Sequence, residues 1–90
     1  MAFKLENYME IEVEHILPQL LRAFPDFCKC ELCLLDVKAL ALNSLKPHYI
    51  VSAKGELYSQ LEEMKIQSEA DVMKALVEAI IIVRTKPRHE

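Results

Sequence analysis

The sequence predicts an all-α (mainly α) fold, a small single-domain helical bundle, and three observations favour that class. Only one glycine and four prolines occur in the 90 residues, so turns are few and the elements between them are long. Apolar residues recur every three to four positions over most of the chain, which is the period of an amphipathic helix. Three cysteines crowd into one short segment, Cys28 to Cys33, where a metal can support a core of limited size. We therefore expect one domain over residues 1–90 with a zinc-stabilised turn.

The first predicted helix runs from about Leu5 to Phe24. Its apolar positions follow helical spacing: Leu5, Tyr8, Met9, Val13, Ile16, Leu17, Leu20, Leu21 and Phe24. Pro18 removes the backbone hydrogen bond to the carbonyl of Glu14, so we expect either one bent helix or two short ones. Residues 24–27, which contain Pro25, then form the turn that leads into the cysteines.

The second predicted helix, from Leu32 to about Leu45, is apolar around nearly its whole circumference. A helix of this kind is buried on most sides. Asp36 and Asn43 interrupt it seven residues apart and therefore share one polar stripe. Two interpretations stay open. Asp36 complements the helix dipole or bonds a neighbour of the metal while Asn43 helps to end the helix, or the stripe contacts a ligand or a second subunit.

The chain after this helix begins with a turn. Pro47 disfavours helical geometry at Lys46, so residues 46–49 form the turn and residues 50–53 read as extended chain. Gly55 then allows a reversal.

The last part of the chain has helical spacing throughout. Residues 56–65 and the stretch from Ser68 onward form either two helices or one long helix. Four residues of this part also follow the seam spacing of paired helices: Met73, Leu76, Ile80 and Val83. The pattern suits ordinary core packing and a dimer seam equally.

The three cysteines have the spacing of metal ligands. Thiolates two and three residues apart can converge on one tetrahedral zinc ion at about 2.3 Å, whereas a disulfide between such close neighbours is strained and leaves one thiol over. We expect bound zinc, and the alternative is a buried or redox-active thiol group without metal. No separate His-Glu pair at metalloenzyme spacing accompanies the cysteines, so we expect a structural site and no enzyme.

Charge and hydrophobicity limit the partners. The net charge of −3 argues against broad binding to duplex DNA, which depends on Lys and Arg. The hydrophobic share of 52% is high for a soluble domain, so we expect apolar surface to meet a second subunit in a homodimer. The chain shows neither a secretory signal pattern nor an apolar stretch long enough to span a membrane. We therefore expect a cytoplasmic protein with no membrane contact.

The segment from Cys28 to Val51 resembles the central signature of the late competence development protein ComFB family. Fourteen positions carry this resemblance, in order and at fixed spacing: Cys28, Cys30, Cys33, Asp36, Val37, Ala39, Leu40, Ala41, Leu42, Asn43, Leu45, Pro47, Tyr49 and Val51. The similarity continues more loosely to residues 86–88, so it covers most of the chain.

The resemblance implies a dimeric, mainly helical bacterial protein with structural zinc. Zinc sites of the family draw a fourth cysteine from the tail beyond the last helix, and this sequence has no cysteine there. Histidine is the natural substitute. His89 is our first choice for the fourth ligand, and His48 and His15 are the alternatives.

The resemblance also implies a function, because members of this family are described as receptors for cyclic dinucleotides, chiefly cyclic di-GMP, in the control of competence, pili and motility. Such a ligand needs cations for its phosphates and polar or planar groups for its bases. The candidates in this sequence are Asp36, Asn43, Tyr49, Lys46, Arg84 and Arg88. A symmetric dimer would hold one such ligand on its axis.

Two competing hypotheses remain. The first is a zinc-stapled module that binds an unidentified downstream protein through its apolar helices and takes no small ligand. A role in binding DNA during uptake would need a basic face, and only Arg84, Lys86 and Arg88 offer one.

Overall fold

The computed structural model describes residues 3–53 and 59–86, and for residues 52–53 and 59–67 it describes the backbone alone. Two strands and three helices follow in the order β1 (Phe3–Asn7), α1 (Tyr8–Leu21), α2 (Glu31–Ser44), β2 (Tyr49–Ala53) and α3 (Ser59–Thr85). The mainly helical class is thus confirmed, and a two-stranded sheet is added to it.

The chain enters α1 later than the apolar pattern predicts, because residues 3–7 form β1. This strand pairs antiparallel with β2, and Leu5 lies opposite Val51. The spacing of Leu5 also fits the helix that follows, so local periodicity placed it there wrongly. The deciding interaction is the ladder with a strand more than 40 residues away in the sequence.

Asn7 joins the start of α1 to the turn before β2. Its side-chain oxygen accepts hydrogen bonds from the backbone N–H of Met9 at 3.2 Å and of His48 at 2.9 Å. The backbone N–H of Tyr8 in turn donates to the carbonyl of His48 at 2.6 Å. One amide side chain therefore caps the helix and fixes the turn.

We expect Asn7→Ala to lower the free energy of unfolding by about 1–2 kcal/mol, because one helix cap and one long-range hydrogen bond are lost together. Asn7→Asp is the matched control, since its carboxylate can accept the same two bonds. Urea denaturation followed by circular dichroism measures both variants. Equal unfolding midpoints for the Ala and Asp variants would show that the two hydrogen bonds of Asn7 contribute nothing to stability.

Helix α1 runs without a break through Pro18, so the predicted split does not occur and a single helix forms. Pro18 and Glu14 are both exposed. The carbonyl of Glu14, which receives no hydrogen bond from Pro18, therefore faces water, and the proline is tolerated inside the helix. After α1 the predicted turn forms, and the N–H of Phe27 donates to the carbonyl of Phe24 at 3.0 Å.

Helix α2 begins one residue earlier and ends one residue earlier than predicted, and only one side of it is buried. Cys33, Val37 and Ala41 face the core at spacings of four residues. Leu35, on the opposite side, is 52% exposed. The expectation that this helix is buried on most sides is wrong for the single subunit, because α1 and α3 cover one face only.

Helix α3 is continuous, so the alternative of one long helix is the one that forms. Three of its four seam positions, Leu76, Ile80 and Val83, lie in the core, whereas Met73 is partly exposed. The seam spacing therefore reports packing within the subunit. The predicted reversal at Gly55 lies outside the described residues.

The three helices form a bundle in which α3 contacts both α1 and α2. Arg84 near the end of α3 places its guanidinium 5.2 Å from the ring centroid of Phe24, so α1 and α3 run in the same direction. Helix α2 runs against both, because Ser44 at its end lies beside Ser68 and Asp71 of α3. Within the described ranges, no helix combines the length and apolar character needed to cross a membrane.

Candidate functional site

The cysteine cluster, Cys28, Cys30 and Cys33, lies where the loop after α1 enters α2. The side chain of Phe27 is buried and anchors this loop. Cys28 is exposed in the loop, Cys30 is the N-cap of α2, and Cys33 in the first turn is 1% exposed. Their three sulfur atoms all lie within 4.8 Å of one another.

The geometry of the cysteine cluster fits a zinc ion. In a tetrahedral site with bonds near 2.3 Å the sulfurs stand about 3.8 Å apart, so a small inward movement of the loop suffices. Three soft thiolates are the donor set that favours zinc over hard cations. Among the described residues neither His15 nor His48 belongs to this group, and His89 lies outside them.

The surroundings of Cys30 and Cys33 shift the pKa values of their thiols in opposite directions. The backbone N–H of Cys33 donates to the sulfur of Cys30 at 3.4 Å, and this bond lowers the pKa of Cys30. Burial, together with the two neighbouring sulfurs, raises the pKa of Cys33 to about 12. Without metal, the thiol at the helix N-cap therefore loses its proton more readily than the thiol beneath it.

We expect metal binding to release a proton from Cys33 even at alkaline pH. Metal ligands must be deprotonated, and a thiol whose pKa is about 12 keeps its proton at pH 9.5. Because the pKa of Cys33 is raised, protons compete with the metal for its sulfur up to about pH 12. The affinity for metal should therefore rise with pH throughout this range. Adding Cd²⁺ to the metal-free protein at pH 9.5, with a pH indicator, should release about one proton from Cys33 alone.

The comparison is a short peptide of residues 26–35, in which all three thiols are exposed to water. At pH 9.5 such thiols have already lost most of their protons, so each releases only a small fraction of one. If the folded protein released no more protons than this peptide, the buried, protonated Cys33 would be contradicted.

A groove opens at the opposite end of the bundle, where α2 ends and α3 passes by. Its volume is about 740 Å³, and its lining comprises Met9, Ser44, Leu45, Lys46, Pro47, His48, Ser68, Asp71, Lys74, Ala75 and Glu78. Two lysines, a histidine and two carboxylates thus meet in one concave surface. The hydroxyl oxygen of Ser68 is buried there and, within the described structure, makes no hydrogen bond.

The structure gathers three predicted ligand-binding residues around the end of α2. Lys46 lines the groove. Asn43 is exposed in the last turn of α2, and Tyr49 is exposed at the start of β2. These three residues are therefore neighbours along the chain at the groove end of the molecule.

The other predicted ligand-binding residues do not join them. Asp36 is half-buried in the middle of α2, and Arg84 stacks on Phe24 at the cysteine end. Arg84 lies thirteen positions after Asp71 of the groove, a distance of about 20 Å along α3. Arg88 lies outside the described residues. One subunit therefore does not assemble the whole predicted set.

Sequence reasoning missed the half of the groove that α3 supplies. Ser68, Asp71 and Glu78 recur at helical spacing on α3 and flank the core position Ala75. This polar face is visible in the sequence, but solvated faces are common on helices. Only the packing of α2 against α3 shows that it borders a concave surface.

Comparisons with known proteins agree with one another. A family model described as late competence development protein ComFB matches residues 6–87. The curated "Competence protein ComFB" of Bacillus subtilis (strain 168) is 29% identical over 83 residues, which is 92% of this chain and 85% of that protein. A solved structure of the late competence protein ComFB from Bacillus subtilis superposes with a TM-score of 0.76 and 28% identity, over 94% of this chain and 93% of the other.

Proposed function

Because the chain belongs to the late competence development protein ComFB family, we propose that it is a non-enzymatic, dimeric regulatory protein that holds structural zinc and binds cyclic di-GMP. The groove at the end of α2 is the observation that supports the ligand, since it combines suitable volume with cations and carboxylates. The proposed role is the control of competence or motility in the cytoplasm.

The proposed zinc ligands are Cys28, Cys30 and Cys33, with His89 as the fourth. Helix α3 ends at Thr85, and Arg84 near its end contacts Phe24. Phe24 lies four residues before Cys28 in the sequence. The chain after α3 therefore begins close to the cluster, and four residues can span about 12 Å. Bound zinc would supply a rigid link between the loop after α1 and the first turn of α2.

The proposed nucleotide contacts use the charges of the groove. The ammonium groups of Lys46 and Lys74 would meet the two phosphates, and the carboxylates of Asp71 and Glu78 would accept hydrogen bonds from guanine edges. The hydroxyl of Ser68, which makes no hydrogen bond within the described residues, would gain a partner. A chain of net charge −3 can bind an anion in this way because the cations are local.

The test is a calorimetric titration of zinc-loaded protein with cyclic di-GMP, with cyclic di-AMP and GTP as controls. We expect selective binding of cyclic di-GMP at micromolar concentration or tighter, with about one ligand per subunit, because each subunit carries its own groove. An absence of both heat and thermal shift, with a folded and zinc-loaded protein, would refute the receptor function.

Two lysine variants locate the ligand. Lys46→Ala should weaken cyclic di-GMP binding at least ten-fold, because a phosphate loses its cation in a partly enclosed groove. Lys86→Ala is the matched control, since Lys86 is exposed at the cysteine end, and its affinity should be unchanged. The opposite ranking would place the ligand at the cysteine end, beside Arg84.

A second candidate function has its own observation. The outer face of the β1–β2 sheet carries Phe3, Leu5, Tyr49 and Val51, which are 62–69% exposed and fall on one face in the paired register. A contiguous apolar patch of this kind is typical of protein contacts. If nucleotide titration fails, a zinc-stapled module that binds a downstream protein through this sheet is the better proposal.

A further inference from the structure

We infer that Cys30 and Cys33 are a redox-reactive pair, in which a small hydroperoxide oxidises Cys30 and Cys33 then closes a disulfide with it. The reaction removes the ligands of the cysteine cluster and so controls the metal. The inference rests on the metal site in the proposed function and assigns its regulation. It does not depend on the nucleotide.

The two thiols lie one helical turn apart at the start of α2. Cys30 is the N-cap, and its carbonyl accepts a helical hydrogen bond from the N–H of Leu34 at 3.0 Å. Residues three positions apart in such a turn have Cα atoms about 5 Å apart, which is within the range that a disulfide bridges. Their sulfurs already lie within 4.8 Å of each other. Rotation of the two side chains is therefore enough to bring the sulfurs to bonding distance.

The third cysteine is a poorer partner. Cys28 belongs to the loop before α2 and lies only two residues before Cys30, a spacing at which a disulfide is strained. The general objection to a disulfide among close neighbours therefore holds for Cys28 with Cys30. It does not hold for the pair that spans the first turn of the helix.

Burial assigns different roles to the two sulfurs of the pair. Cys33 is 1% exposed, so an oxidant in solution does not reach its sulfur directly. Cys30 is partly exposed, and its sulfur accepts a hydrogen bond from the backbone N–H of Cys33 at 3.4 Å. A cysteine at a helix N-terminus, followed three residues later by a second one, is a reactive thiol in oxidoreductases. Cys30 is therefore the sulfur that is attacked first, and Cys33 resolves the product.

The oxidant is a small hydroperoxide, because Cys30 is only partly exposed. The sulfur of Cys30 attacks the terminal oxygen of the hydroperoxide, the O–O bond breaks, and the thiol becomes a sulfenic acid while an alcohol leaves, or water if the oxidant is hydrogen peroxide. The sulfur of Cys33 then attacks the sulfur of Cys30, and the hydroxyl group leaves with the thiol proton as water. Two thiols are oxidised to one disulfide, and one hydroperoxide is reduced.

The disulfide removes two of the three sulfur ligands. Thiolate is the form of cysteine that binds a metal, and neither sulfur of a disulfide is a thiolate. Cys28 alone does not hold the ion, so the link between the loop after α1 and the first turn of α2 is lost. In a reducing compartment such disulfides are transient and report oxidation. A dithiol reductant restores both ligands by thiol–disulfide exchange.

The test treats the zinc-loaded full chain with hydrogen peroxide. Released zinc is measured with a chromogenic chelator, and the products are mapped by alkylation and peptide mass spectrometry. We expect zinc to be released in step with a disulfide between Cys30 and Cys33, and Cys28 to remain as the alkylated thiol. Dithiothreitol with added zinc should restore the thiols, the metal content and the melting temperature. Retention of zinc in excess peroxide, or a disulfide that contains Cys28, would overturn the inference.

Two variants separate the attacked sulfur from the resolving one, with dimedone present to label sulfenic acid. Cys28→Ser keeps the pair, so it should form the disulfide and give little adduct. Cys28→Ser combined with Cys33→Ser removes the resolving thiol, and the adduct on Cys30 should increase about ten-fold. Equal adduct in the two variants would overturn the assignment of Cys33.

The wild-type peptide map decides the pairing even if a variant does not fold. A wild-type chain that holds no zinc but forms the disulfide between Cys30 and Cys33 would support the redox pair and count only against the proposed metal. Cyclic di-GMP takes no part in these measurements, so a failure of the proposed ligand leaves their outcome unchanged.

Discussion

Replacing Cys30 by serine is expected to release the metal and unfold the domain. The cysteine cluster links the loop after α1 to α2, and metal binding of this kind contributes on the order of 10 kcal/mol to folding. That is comparable with the whole stability of a small domain. The substitution is informative because serine is a better N-cap than cysteine. The cap that the Cys30 sulfur now provides to Cys33 would survive, and only the thiolate would be lost.

Two measurements check this result. Zinc content by elemental analysis should fall below one ion per chain, and the thermal unfolding transition should broaden or disappear. Wild-type protein treated with a strong chelator should behave like the variant, while the variant should not respond to the chelator. A Cys30→Ser protein with full zinc content and an unchanged melting temperature would refute the structural metal site.

The substitution Ile80→Ala is expected to have the second-largest effect. It should lower the free energy of unfolding by about 3–4 kcal/mol. The side chain of Ile80 is 0% exposed, and large-to-small changes in such a core lose both burial and packing. Ile82→Ala is the matched control, because the same residue type two positions later is 56% exposed. It should cost less than about 0.5 kcal/mol.

Urea denaturation of the zinc-loaded protein measures both variants, and the slope of the transition shows whether the native state is still compact. Comparing Ile80→Ala with Ile82→Ala also shows whether α3 packs only within the subunit or forms a dimer seam as well. If Ile82→Ala cost as much as Ile80→Ala, or if its effect depended on protein concentration, α3 would form an interface and the assignment of its seam residues to the core would be wrong.

Part of the fold could be predicted because periodic apolar spacing reports which side of a helix is buried. Val13, Ile16 and Leu17 of α1 lie in the core, as their spacing indicates. Leu76 and Ile80 do so in α3. The cysteine cluster could be predicted for a different reason. Its three ligands lie within six residues, so local backbone geometry alone brings their sulfurs together.

Other features depend on contacts between distant segments and left no local signal. Strand β1 continues the apolar spacing of α1, and only its ladder with β2 makes it a strand. Glu12 reads as one of several solvated acids, yet its side chain lies in the core and accepts a hydrogen bond from the hydroxyl of Tyr8 at 3.3 Å. Local sequence does not record which elements pack on top of one another.

The sequence by itself determined the mainly helical class, the two alternatives for α3, the metal-type cluster and the family. Each of these is encoded in residues that are close together or in fixed order along the chain. Tertiary structure decided that the leucines on the outer side of α2 stay exposed and that α3 borders a groove with Lys46. It also decided that Lys46 and Arg84 stand at opposite ends of one subunit. These facts depend on the direction in which the three helices pack, which is set by burial summed over the whole chain and by no single segment.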